Sequence, residues 1–207
     1  MEQVLIVAKT KMGNGVCIGG LALASNRSVR LLPRDHYSLA SNVKFEVGQV
    51  WDLDLQDAVG IEPPHTEDVV VRTCRYRGEM LDLRAFLLRR IQPWSGGPER
   101  LFDGMLTVDQ SKCYIAKSGP IPNRSTGYWL PDRELIHDEK NGKPYYLVDY
   151  LNNISGRIYC RTLSLPFVGF AIPLDKIFPN TLVRVSLARW LSRDRERCYL
   201  QISGWYL

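Results

Sequence analysis

Leu182-Val183-Arg184-Val185-Ser186-Leu187 and, a little further on, Cys198-Tyr199-Leu200-Gln201-Ile202-Ser203 are the stretches that decide the fold. Each alternates apolar with polar residues, the period of a strand that buries one face. Val183, Val185, Leu187, Cys198, Leu200 and Ile202 fall on one side. Arg184, Ser186, Tyr199, Gln201 and Ser203 fall on the other. Between them Ser192-Arg193-Asp194-Arg195-Glu196-Arg197 is a charged, solvated loop. The pair predicts an antiparallel hairpin with its aliphatic side against a core and its polar side outward.

The same grammar runs back through the chain. Lys112–Lys117, Tyr128–Leu130, Glu134–His137, Pro144–Tyr150, Arg157–Ser164 and Val168–Ile172 read as further strands. Nearer the start, Val4–Ala8, Val16–Ala24 and Ser28–Leu32 form a meander, turned at Met12-Gly13-Asn14-Gly15 and at Ser25-Asn26-Arg27. Residues 33–46 read as a loop. In Val47–Leu55, Val47, Gln49, Trp51, Leu53 and Leu55 share a face, and Asp68–Tyr76 is the next strand. One helix is predicted: Asp82 caps Leu83–Gln92, where Leu83, Phe86, Leu87 and Ile91 recur at helical spacing. Pro93-Trp94-Ser95-Gly96-Gly97-Pro98 stops it. About eleven or twelve short strands are too many for one five-stranded OB barrel and suit two. The expected fold is therefore all-β, with one or two short helices and two OB-like barrels packed together. Their boundary is sought in the Pro-, Gly- and Ser-rich region 93–127, giving a first barrel with helix over 1–105 and a second with the hairpin over 106–207.

Composition narrows the class. With 207 residues, 45% hydrophobic and 24% charged, the chain suits a globular protein with a sizeable core. The start lacks the basic, apolar and small-residue segments of a signal peptide, and no apolar run suits a membrane span. A cytoplasmic protein without membrane contact is expected. Cys17, Cys74, Cys113, Cys160 and Cys198 stand singly in strand-like surroundings, without zinc spacing, and read as small buried hydrophobes. The net charge is +5; residues 1–100 hold 13 basic and 12 acidic side chains, the remainder 14 and 10. Most of the excess therefore lies in the second part, which tilts toward a polyanionic partner there.

Three groups of segments carry a resemblance. The first is Val4–Lys9, Gly13–Gly20 and Ser28–Leu32; the second is Val47–Trp51 with Pro63–Val69. The third is Thr181–Trp190 with Arg197–Tyr206. Together they resemble the small prokaryotic proteins described as dual OB-containing domain proteins, over nearly the whole chain. The resemblance implies two OB-like barrels, a nucleic-acid or nucleotide ligand and a setting in prokaryotic antiviral defence. It supplies no catalytic residues.

Chemistry read from the residues is sparse. His65, Glu67 and Asp68 form the one cluster with acid–base or metal-binding character. In a strand, however, His65 and Glu67 share a face and Asp68 opposes them, so local capping and pairing is the competing reading. Lys9 and Lys11 precede Gly13, Gly15, Gly19 and Gly20, the reverse of a P-loop, so a hairpin turn is expected with the lysines able to meet a phosphate backbone. No serine has a nucleophile-elbow context, and strands do not alternate with helices as a Rossmann unit requires. Single-strand binding needs cations for phosphates and flat rings for bases. The second part offers Lys112, Tyr114, Lys117, Arg124, Trp129, Arg184, Arg189, Trp190 and Tyr199, with Tyr128, Lys143, Tyr145 and Tyr146 nearby. Any of those rings can equally be core. Arg84, Arg89 and Arg90 on the helix read as a solvated face.

The leading expectation is thus a binder of single-stranded or distorted DNA or RNA, with no cofactor and no metal. The alternatives are an enzyme acting on nucleotides or nucleic acid through His65, Glu67 and Asp68, and an adaptor that docks on a larger effector protein in a defence complex.

Overall fold

The computed structural model describes residues 1–13, 15–33, 43–154, 157–190 and 194–207, with the backbone alone for 152–154, 157 and 158. Asn14 of the first turn, residues 34–42 of the predicted 33–46 loop, and Ser192 and Arg193 of the charged loop lie outside the described residues. Two compact units emerge: Met1–Gln92 with Val168–Phe170, and Pro93–Phe167 with Ala171–Leu207.

In the first unit β1 (Glu2–Met12), β2 (Gly15–Ala22), β3 (Arg27–Leu32), β4 (Gln49–Asp57) and β5 (Asp68–Glu79) close into a barrel in the order β1-β2-β3-β5-β4. Only the β3–β5 seam is parallel. Closure depends on β1, which pairs with β4 through Glu2–Leu5 and with β2 from Val4 onward. A bulge between Ile6 and Ala8 lets the strand bend from one neighbour to the other. Val4, Ile6, Val16, Ile18, Val29 and Leu31 fill the interior with Leu53, Val69 and the nearly covered Trp51. Trp51 and Leu53 thus face the core as their alternation predicts, whereas Val47 stays 47% exposed because the strand begins only at Gln49. Gly20 is required by this packing: a Cβ there would press into Val4 Cγ1 and lie 3.0 Å from Val29 Cγ2.

The helix α1 (Leu83–Leu88) follows β5. Asp82 caps it, its Oδ1 accepting from the Ala85 N–H at 2.9 Å. It stops four residues short of the predicted Gln92, since Arg90 and Ile91 both turn back to the Leu87 carbonyl. Leu87 is its buried residue.

The second unit contains β6 (Trp94–Gly96), a kinked 3-10 segment at Pro98–Gly104, β7 (Thr107–Asp109), β8 (Lys112–Ala116) and β9 (Thr126–Pro131). These are followed by β10 (Leu135–Lys140), β11 (Lys143–Ile154), β12 (Arg157–Pro166), β13 (Lys176–Ile177), β14 (Leu182–Leu187) and β15 (Arg197–Tyr206). One sheet has the order β6-β9-β14-β15-β8-β7 and the other β12-β11-β10-β13. The Ser164 N–H donates to Ser111 O at 2.8 Å, and Phe167 bridges Ile202, so the two sheets join as a half-barrel around one core. The protein is accordingly all-β, built of two OB-like barrels, the first closed and the second half-closed.

Two expectations shift. The boundary falls before Pro93, not at 105, because β6 pairs with β9 while Leu101 and Phe102 enter the second core. Val168–Ile172 is not a strand; Gly169 makes a single bridge to Thr10, and Lys11 N–H donates to Val168 O at 2.8 Å. The hairpin β14–β15 has the expected alternation, with all six aliphatic-side residues in the core.

Candidate nucleic-acid interface

One face of β8 and β15 brings together three of the predicted residues, the exposed Lys112, the half-exposed Tyr199 and Tyr114, which is itself buried. Tyr114 pairs directly with Tyr199 across the ladder, and Arg197 pairs with Ala116. Since alternate residues share a face, Lys112 and Tyr114 on one strand meet Arg197, Tyr199 and Gln201 on the other. The two tyrosine rings lie 5.6 Å apart, edge to face. The Arg197 guanidinium sits 4.8 Å from the Tyr114 ring centre, and the Lys112 ammonium 5.9 Å from that of Tyr199. A hydrogen bond to Tyr199 and the nearby Tyr114 hydroxyl push the Arg197 pKa up, so it stays cationic. The Tyr199 hydroxyl donates to Asp194 Oδ2 at 2.8 Å, which fixes the ring.

This face borders a cavity of about 590 Å³ lined by Ser111, Lys112, Tyr199 and Gln201 on one side and Lys140, Tyr145, Ser164 and Pro166 on the other. Its second wall comes from β10–β12. Lys140 Nζ donates to Ser164 Oγ at 3.0 Å and lies 5.6 Å from the centre of the Tyr145 ring. Each wall therefore presents a half-exposed tyrosine with a lysine ammonium against it. Asp194 is the carboxylate among the lining residues. Cys113 also lines the cavity, but burial pushes its thiol up to about 12, and the Cys198 thiol likewise to about 12. Neither supplies a thiolate near neutral pH.

The remaining predicted residues part company. Lys117 is exposed just beyond β8, its N–H bonded to Glu196 O at 2.9 Å. Arg124 is exposed elsewhere on the unit, 4.6 Å from the Trp94 ring centre and paired with Asp103. Arg189 is exposed, and Trp190 packs against the core from its margin. Trp129 is wholly buried, its indole N–H donating to Gly96 O at 2.8 Å. Arg184, on the polar side of β14, is only 4% exposed: Nη1 donates to Ser203 Oγ at 3.1 Å, and Ser203 Oγ donates to Arg184 O at 3.1 Å. Its partners on that face are Tyr128 and Tyr206, whose phenols burial pushes up. Trp129 and Arg184 thus serve packing. Arg197 and Lys140 are not among the residues the sequence singles out: the charged run 192–197 reads as loop to its end, yet Arg197 opens β15 two residues before Tyr199 on the same strand face.

In the first unit, His65, Glu67 and Asp68 are all buried, with Glu67 and Asp68 at the β3–β5 seam and the His65 N–H bonded to Glu62 O at 2.9 Å. Asp68 is held by Arg30 Nε in an ion pair of which both side chains are nearly covered. Burial is the largest single influence and opposes the Arg30 charge, but the Asp68 hydrogen bond together with the nearby Cys17, Asp68 and Glu67 groups outweighs it and raises the guanidinium's pKa. The Arg30 N–H donates to Glu67 O at 2.7 Å. Among the described residues no group of three or more His, Cys, Asp or Glu side chains is arranged to hold a metal ion. The carboxylate of Asp68 is committed to its arginine, which suits a structural clamp better than proton transfer. No helix among the described residues is long and apolar enough to cross a membrane.

A closed five-stranded barrel followed by a half-barrel that bears a basic, tyrosine-lined cavity defines an OB-type protein with two barrels. The chain belongs to the dual OB-containing domain family, whose model matches residues 2–205. Among curated proteins, none matches it.

Proposed function

We propose that the protein binds single-stranded nucleic acid through the cavity between β8/β15 and β10–β12. The observation that carries this reading is the paired arrangement of Tyr199 with Lys112 and Tyr145 with Lys140 around one cavity. Every nucleobase has a flat face that stacks on a tyrosine, and every linkage has a phosphate that an ammonium neutralises. The volume lies within the roughly 300–1,000 Å³ of sites that enclose a small ligand, room for one or two bases but not a duplex. Ser111, Ser164 and Gln201 add groups that hydrogen-bond base edges or sugar hydroxyls.

Fluorescence anisotropy of labelled single strands, with a hairpin duplex as competitor and salt raised stepwise, tests the assignment. Single strands are expected to bind in preference to duplex, with affinity falling log-linearly with salt. Absence of binding at low salt, or equal affinity for duplex, overturns it. Binding of mononucleotides as tight as that of strands also overturns it, and assigns the cavity to a free nucleotide.

A further inference from the structure

We propose that Phe170, Lys11 and Lys9 form a second nucleotide-binding station, on the first unit, with a base stacked on Phe170 and its phosphate held by the lysines. Phe170 is a phenylalanine left 46% exposed, without a hydroxyl to favour solvent. Two ammonium groups approach its ring: Lys9 Nζ at 5.7 Å and Lys11 Nζ at 5.8 Å from the centre. The lysines stand on β1, whereas Phe170 comes from far along the chain. Its delivery is built into the backbone, through the Lys11 N–H bond to Val168 O and the Thr10–Gly169 bridge. A strap pinned at Thr10 and Lys11 fixes the ring against the lysine row at little cost in chain entropy on binding.

The two cations differ. Lys9 is mostly covered and engaged by the Glu46 carboxylate, with Val43 O near the same ammonium. Lys11 is exposed, and no ion-pair partner of it is found among the described residues. Lys11 therefore makes the main phosphate contact, while Lys9, engaged by Glu46, adds to it from two residues along the same strand. An aromatic ring open to solvent with a lysine ammonium over it is the pairing that the second unit presents twice, at Tyr199 with Lys112 and at Tyr145 with Lys140.

The inference rests on the single-strand reading, and the experiment separates the two. Labelled oligothymidylate is titrated against the full chain and against Phe170→Ala, Phe170→Leu, Lys11→Ala and Tyr199→Ala. Both Phe170 variants are expected to weaken binding about five- to hundredfold, because leucine keeps the apolar bulk but lacks the π-face. Lys11→Ala is expected to lower the salt slope by about 0.7. Photo-crosslinking with a strand carrying 5-iodouridine should then place adducts on the peptide containing Phe170 as well as on that containing Tyr199. Loss in Tyr199→Ala with wild-type affinity in both Phe170 variants and no adduct at Phe170 overturns the second station alone. Loss in Phe170→Ala but not Phe170→Leu overturns it too, since apolar contact then suffices. Wild-type affinity in Tyr199→Ala with losses at Phe170 supports the station and overturns the cavity reading.

Discussion

Replacing Tyr199 by alanine deletes the ring that faces Lys112 across the cavity wall. Stacking of one base on an aromatic side chain is worth about 1–3 kcal/mol, and each 1.4 kcal/mol is tenfold in affinity, so Kd should rise about five- to 140-fold. Replacement by phenylalanine deletes only the hydroxyl that donates to Asp194 Oδ2 and keeps the π-face. Its Kd should therefore stay close to that of the wild type. Lys112→Ala removes a cation without touching the ring. For single strands each neutralised phosphate contributes about 0.7 to the slope of log affinity against log salt, so the three cations of the cavity (Lys112, Lys140 and Arg197) contribute about −2 to the slope, to which Lys11 adds its own share.

Anisotropy of labelled oligothymidylate over a series of potassium chloride concentrations reads both quantities from one data set. Tyr199→Ala should shift the lines to weaker binding with their slope intact, and Lys112→Ala should flatten them by about 0.7. Circular dichroism of each variant shows whether β15 remains folded, and Tyr145→Ala supplies an independent ring on the opposite wall. Equal weakening by Tyr199→Phe and Tyr199→Ala would refute the stacking argument, because the hydroxyl would then carry the effect. An unchanged salt slope in Lys112→Ala would show that its ammonium meets no phosphate.

Gly20→Ala should lower stability by about 1–3 kcal/mol in urea unfolding, since the added methyl meets Val4 and Val29 in a close-packed barrel; wild-type stability would mean that the barrel yields there. Asp68→Ala strands the Arg30 guanidinium in a covered site and should cost about 3–5 kcal/mol, most of it recovered when Arg30→Met and Asp68→Leu are combined. Retention of full stability in Asp68→Ala alone would exclude the clamp. Arg77 holds Asp52 below the usual 3.8 through a hydrogen bond, so the pair stabilises the fold above that value and the contribution is lost as pH falls through the folded pKa. In Arg77→Gln the Asp52 carboxyl, followed by NMR, should titrate at higher pH than in the wild type, and stability should vary less with pH in the acid limb.

Inside versus outside was legible at residue level wherever strands alternate. Val183, Val185, Leu187, Cys198, Leu200 and Ile202 occupy the core because period two leaves a half-buried strand no other arrangement. Tyr145 and Tyr146 separate for the same reason, the first bordering the cavity and the second wholly buried. Pairing between distant strands was not legible. Nothing in Trp94-Ser95-Gly96, read as a helix stop, announces a strand parallel to β9, and that pairing moved the boundary to Pro93. Gly127 beneath the Trp94 ring is the local trace of that contact, since a Cβ there would collide with the indole. It has meaning only once the two segments are known to meet.

Alternation sorts residues between two faces but is silent on which stretch of the outer face is covered, and the candidate site turns on that distinction. Arg184 and Tyr199 both lie on the polar side of one hairpin. Beyond the bulge between Arg184 and Val185, the face carries Tyr128, Arg184, Ser203 and Tyr206, all buried. There an arginine must satisfy itself within the protein, and Arg184 does so on Ser203. On the other side of the bulge the same face carries Arg197, Tyr199 and Gln201, half-exposed beside the cavity. Here Arg197 and Lys112 rest on ring faces, and Lys140 on a ring face with Ser164 Oγ at 3.0 Å and the Asp138 carboxylate at 3.6 Å. A ring face releases a cation to a phosphate far more cheaply than a buried hydrogen bond does, because the interaction is worth only about 0.5–1 kcal/mol when exposed. The bulge thus divides one strand pair into a part that holds the fold and a part whose charges remain available to a ligand.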